Sequence, residues 1–232
     1  MVSSKPSNAG FTLIELLIVV AITAILAAIA LPGMERLIAS QRINNRADQL
    51  NALFQFARAE AIRTNKPVLI CPTVIKKNTA TSNECKNFDE YNNGSGWQGF
   101  LAFIDMNLNG HYEASIDSSV RVVALNQNVS DESKIKVKAR WEVCDTKNSS
   151  CQAEVKGSKN LGFMPNGQFG LGYGENADNW VIGQSSYVIE LLDSKYAQIK
   201  RRIVISPSGK PFLCNGQNDI GNTNTFCTMD MS

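Results

Sequence analysis

The sequence predicts an α+β protein, a long N-terminal helix packed under an antiparallel β-sandwich-like domain. Three observations predict it. Residues 11–31 are an apolar run holding one acid. Residues 34–61 then repeat apolar side chains every three or four positions, and from Val68 onward short β-rich runs alternate with Gly, Asn, Asp and Ser. A helical period followed by many short strands is the order of an α+β fold. At 232 residues the chain has room for the helix and one domain with a core of its own.

The first half of the helix comes from residues 11–31, whose 21 positions would span about 31 Å, close to a bilayer's hydrocarbon thickness. Glu15 is the only charged side chain between Lys5 and Glu35. An acid inside a membrane segment costs a few kcal/mol and marks a function that needs a partner (about +2.5 to +3.5 at the helix centre). Lys5 and the A-x-A at Ala28–Ala30 fit a secretory signal peptide loosely. Against that reading, the run is too long, it contains an acid, and it flows into more helix. A plain transmembrane anchor leaves Glu15 unexplained.

The second half runs from Met34 to Thr64, with Met34, Leu37, Ile38, Ile43, Ala47, Leu50, Leu53, Phe54, Ala57 and Ala61 on one stripe. Pro67 ends it, and Pro32-Gly33 is expected to kink or loosen the junction between the halves. Strands are expected at Val68–Cys71, Gly99–Ile104, Val120–Leu125, Ile135–Val143, Trp180–Ile182, Tyr187–Leu192 and Gln198–Ser206. The stretches 76–95 and 166–179 read as surface loops, and 215–232 as a tail tied back by Cys227. The expected organisation is therefore 1–10 leader, 11–64 stem helix and 65–232 β-rich head.

Composition narrows the function. A formal charge of +2, which becomes +1 without Lys5, makes no global case for nucleic acid. The cysteines are Cys71, Cys85, Cys144, Cys151, Cys214 and Cys227. An even count suggests disulfides, with 15 connectivities open. The three sequence neighbourhoods favour Cys71–Cys85, Cys144–Cys151 and Cys214–Cys227. Zinc fits poorly, because no C-x-x-C occurs and His111 is the only histidine. Enzyme signals are poor as well. Gly209-Lys210 is followed by Pro211, so it is no phosphate loop, and Gly170-x-Gly172-x-Gly174 lacks the dinucleotide spacing. No nucleophile–base pair is visible, and neither catalysis nor a cofactor is expected.

Two local patterns remain. Asp105, Asn107 and Asn109, ahead of Gly110, copy the first half of a calcium loop, but its twelfth position is Ile116 where a bidentate Glu is needed. Asn-Gly is also a turn signal, and the turn is the favoured reading. Lys134, Lys136, Lys138 and Arg140 alternate with Ile135, Val137, Ala139 and Trp141, so on a strand the cations share one face. The plain reading is the solvent side of a half-buried strand. The sharper one is a phosphate-tracking stripe that binds DNA in a salt-dependent way.

Gly10-Phe11-Thr12-Leu13-Ile14-Glu15-Leu16 resembles the processing site of type IV prepilins and pseudopilins. That resemblance implies that prepilin peptidase cuts after Gly10 and that Phe11 becomes the N-methylated first residue. It also implies that Glu15 meets the new amine of a neighbouring subunit. Pro67-Val-Leu-Ile-Cys71, Phe103-Ile-Asp-Met-Asn-Leu-Asn-Gly110, Phe163-Met-Pro-Asn-Gly167 and Ile203–Lys210 are similar to the GspH/FimT family of minor pilins and pseudopilins. The fold this implies is a long helix under a β-sandwich-like domain. The partners it implies are major and minor pilins, prepilin peptidase and the inner-membrane assembly machinery. Localisation would be single-pass in a bacterial inner membrane with a periplasmic head, then a surface pilus.

Some members of the family bind DNA through a basic G-R-x-R motif. Here Gly209-Lys210-Pro211-Phe212 keeps one cation of the two, which weakens that expectation. The leading expectation is a minor type IV pilin that helps start assembly or sits near the tip. A DNA-binding pilin for transformation and a type II secretion pseudopilin are the alternatives.

Overall fold

The computed structural model describes residues 11–74, 84–85, 98–126, 135–145, 151–153, 158–173, 179–214 and 225–228. Gly10, Lys134 and most of the 76–95 stretch lie outside the described residues. Helix α1 runs from Leu13 to Thr64. The chain divides into two compact units, Met1–Ala39 and Ser40–Ser232, so the second half of α1 belongs to the head. Neither Leu13–Ile29 nor Gly33–Thr64 alone is long and apolar enough to cross a membrane; the pair together is, by length and composition.

The head holds two antiparallel sheets. The first contains β1 (Val68–Val74), β2 (Glu84–Cys85), β3 (Gly99–Ile104), β4 (Ser118–Ala124), β7 (Ser158–Phe163), β8 (Phe169–Tyr173) and β9 (Asn179–Ile182). Its order is β4-β3-β1-β7-β8-β9, with β2 also on β1. The second contains β5 (Val137–Asp145), β6 (Cys151–Ala153), β10 (Ser185–Asp193), β11 (Lys200–Ile205) and β12 (Pro211–Leu213), in the order β12-β11-β10-β5-β6. A short helix α2 covers Thr225–Thr228.

One buried cluster joins helix and sheets. Ile43, Leu50, Phe54 and Ala61 of α1 pack with Ile70 and Phe163 of the first sheet and with Trp141 and Tyr187 of the second. The aromatic rings meet edge to face, with Phe54 6.3 Å from Phe169 and Phe169 4.9 Å from Tyr187, a favoured geometry. Strands β1 and β3, and the Tyr187–Ile189 and Ile203–Ile205 stretches of β10 and β11, are apolar on both faces because both are covered. Inward they meet the common core. Outward, Cys85 packs over Cys71, Leu101 and Phe103, while Cys227 and Phe226 pack over Val188 and Val204. The structure pairs Cys71 with Cys85, Cys144 with Cys151 and Cys214 with Cys227.

Three expectations need correction. Residues 166–179 are not all loop, since β8 lies within them and buries Phe169 and Leu171. Gly170 is there because the strands approach closely: a Cβ would sit 2.9 Å from Ile182 Cγ1 and 3.1 Å from the Val181 carbonyl. Met34, Leu37 and Ile38 belong to the apolar stripe but are exposed, Ile38 by 49 %; burial starts at Ala39, one residue before the head unit begins at Ser40. Strand β5 starts and ends two residues later than expected, because Asn126 takes the preceding backbone. Its side chain accepts N–H groups from Lys136 and Val137 and donates to the Val137 carbonyl.

Candidate functional site

Thr12 caps α1. Its hydroxyl accepts the backbone N–H of Glu15 at 3.3 Å, and its carbonyl accepts that of Leu16 at 3.2 Å. Thr12-x-x-Glu15 is the sequence of a capping box, a signal that the sequence reading above did not use. The box puts Glu15 in the first turn, where a negative charge suits the helix dipole. Every described side chain from Phe11 to Ile29 is exposed, the large apolar ones by between 53 % at Ile22 and 86 % at Phe11. The carboxylate of Glu15 has no partner among the described residues. Thr23 differs, since its hydroxyl donates to the Val19 and Val20 carbonyls at 2.9 and 3.0 Å and so needs no water. This helix surface therefore carries one polar demand that the described residues do not meet.

The cations expected to act together are split. Lys138 and Arg140 are exposed on the outer face of β5 and Lys136 is exposed just before it, with Val137 and Trp141 turned inward. Lys210 sits in the β11–β12 turn. Register places it one step beyond the Ile205–Pro211 pair, about 20 Å along the strands from the row holding Lys138 and Lys200. Arg201 points the other way, donating to Asn44 Oδ1 at 2.7 Å and to the Cys214 carbonyl at 3.0 Å.

The Asp105 loop is a turn that satisfies itself. Buried Asp105 accepts the N–H groups of Asn109 and Gly110, and Asn109 accepts that of His111. Asp117, not singled out from sequence, accepts those of Met106 and Glu113. Glu113 accepts the side-chain amides of Asn107 and Asn109 at 2.6 and 3.0 Å. Ile116 is exposed at the place where a calcium loop has its bidentate acid. The group Glu142, Cys144 and Cys151 lies close enough for a metal, but its sulfurs are joined in a disulfide and offer no thiolate.

Residues 46–209 match the family described as type II transport protein GspH, and residues 5–31 match the prokaryotic N-terminal methylation motif. Two crystal structures of the type IV minor pilin FimU from Pseudomonas aeruginosa (strain PAO1) are similar. The P21 form is 15 % identical, covers 75 % of this chain and 88 % of its own, and gives a TM-score of 0.39. The P65 form is 15 % identical with 73 % and 90 % covered and a TM-score of 0.38. No curated protein sequence matches the chain.

Proposed function

The chain belongs to the GspH family of type II transport proteins, and on that premise we propose that it is a minor type IV pilin, cut after Gly10 and carried into a filament by its apolar helix. It is a structural subunit of the pilin and pseudopilin kind, with the methylation motif at its N-terminus. One observation carries the proposal: an exposed apolar helix surface, within that motif, whose only charge has no partner among the described residues.

The physics follows from two costs. Apolar side chains from Phe11 to Ile29 must leave water, and a bilayer or a bundle of like helices can take them. Glu15 must meet a counter-charge there, because an unpaired acid in hydrocarbon is expensive. Cleavage after Gly10 creates an amine at Phe11, at the positive end of a helix dipole where a cation is unfavourable on its own. Pairing Glu15 of one subunit with the Phe11 amine of another relieves both ends together. Only a processed chain has that amine, so processing would license assembly. The subunit would wait in the inner membrane with its head in the periplasm and then leave for the filament. Three cystine-closed loops suit a head exposed to an oxidising compartment, the periplasm first and the cell surface after assembly.

Glu15→Ala tests this. The variant should enter membranes as the parent does and be depleted from sheared filaments. Equal amounts of variant and parent in the filament fraction would remove the pairing mechanism.

A further inference from the structure

The end of the head where α1 enters is basic and is tied together by one acid. Asp193, almost wholly buried, accepts from Arg42 Nη1 at 3.1 Å through Oδ2. Its Oδ1 accepts the backbone N–H groups of Lys195 and Tyr196 at 3.0 Å each. The tip of the β10–β11 hairpin is thus pinned to the first turn of the head's part of α1, and Arg201 holds the same turn through Asn44. Strand β5 begins at this end too, with the Ser194 N–H donating to the Lys136 carbonyl at 3.0 Å.

Register then lines up cations on the outer face. Lys138, Leu192 and Lys200 form one cross-strand row, and Arg140, Glu190 and Arg202 form the next. Glu190 is the acid of these rows; it is buried and held by Arg202 at 2.8 Å and Lys200 at 3.4 Å. Lys138, Arg140 and Lys195 are exposed, with Lys195 Nζ 5.3 Å from the centre of the Tyr196 ring. Beyond Arg140 the next row on the same face is buried Glu142 with Val188 and Val204, and Cys144 follows it, so no cation continues the rows. The cations gather where the helix enters and do not continue along β5.

Ser40 follows Leu31, the expected end of the apolar run, by nine residues, about 14 Å of helix. The headgroup zone occupies roughly 5–7 Å on each side of a bilayer. The remaining distance is about one Debye length at 0.1 M salt, within reach of surface charge and of a lysine side chain. We propose that Lys138, Lys195 and Lys200, with Tyr196 among them, form a contact for the phosphate headgroups of anionic lipid. The contact rests on the membrane-anchored reading above. It would hold the head against the bilayer until the subunit moves into a filament. Headgroup phosphate is favoured over nucleic acid because the basic rows lie at the end of the head that holds Arg42, eleven residues after the apolar run, and stop after two rows.

The test places the full-length chain in nanodiscs of phosphatidylcholine alone or mixed with phosphatidylglycerol. Lysines are then acylated, and the rate at each is read by mass spectrometry. Lys138, Lys195 and Lys200 should react at least about threefold more slowly in anionic discs, as expected for cations held at a charged surface. Lys210, at the far end of the sheet, should react equally in both discs. About 0.5 M salt should abolish the difference. Equal rates at the three lysines in chains that have entered both discs would overturn the contact alone. Protection by duplex DNA in neutral discs, with none from anionic lipid, would overturn it in favour of nucleic acid. A chain that stays outside the discs would overturn both the contact and the membrane-anchored reading.

Discussion

The two halves of α1 are continuous in backbone and opposite in environment. From Ile43 to Ala61 the stripe of Ile43, Ala47, Leu50, Leu53, Phe54, Ala57 and Ala61 is fully buried against the sheets, and the positions between them carry Arg46, Asp48, Arg58 and Glu60. From Phe11 to Ile29 the helix is apolar all round, and every described side chain is exposed. A one-sided stripe finds its partner within its own chain. An all-round apolar surface has no such solution in one copy, so its burial must come from lipid or from other subunits.

The largest effect expected from this contrast separates two truncations. Phe54→Ala should cost the head about 3–5 kcal/mol by leaving a cavity among Phe163, Phe169 and Tyr187, and thermal unfolding should show it as a drop of roughly 10 °C or more. Leu17→Ala, in the exposed half, should leave that transition where it is. A shift with Leu17→Ala would mean that the exposed half already packs on the head.

The disulfides sharpen the same contrast. Replacing Cys71 and Cys85 together, 14 residues apart, should destabilise the head by about 3 kcal/mol on the chain-entropy view, read by denaturant unfolding. Membrane partition, governed by residues 11–31, should not change.

Next comes the turn contact under Arg58. That side chain donates to the Gly167 and Ser208 carbonyls, so the helix grips one turn from each sheet. Gly209 has φ +79°, and a Cβ there would run into the Gly167 carbonyl oxygen. Gly209→Ala should therefore cost about 1–3 kcal/mol from backbone strain and that clash.

The smallest effect lies on the exposed side of the buried half. The hydrogen bond from Arg63 holds the Glu60 carboxyl below its ordinary value. Its contribution is present above the unfolded-state value and is lost as pH falls through the lowered one. Because the pair is at the surface, Glu60→Gln should shift the melting temperature too little to measure at neutral pH.

Legibility in the sequence followed the range of the forces involved. Strands β1, β3, β10 and β11 announce themselves as apolar runs, and Glu15 stands out because its surroundings have no other charge. Strands β2, β6, β7, β8 and β12 carry no such run, because they are only two or three residues long or are filled by glycine, proline and polar residues. Gly162 belongs in β7 since a Cβ would meet Leu69 Cδ2 at 2.5 Å, a contact that no local pattern encodes. The basic rows were visible as alternation on β5, but their closure at the helix was not. Arg42 and Asp193 are 151 residues apart, and only the register of β10 with β5 and β11 brings Lys138 and Lys200 into one row.

Mass spectrometry of the mature protein, extracted from membranes and from filaments, tests the central claim most directly. The account predicts a chain that begins at Phe11, carries one methyl group on its amine and retains the whole apolar helix. A chain still carrying residues 1–10, or one that has lost the helix from Phe11 to Ile29, would contradict it.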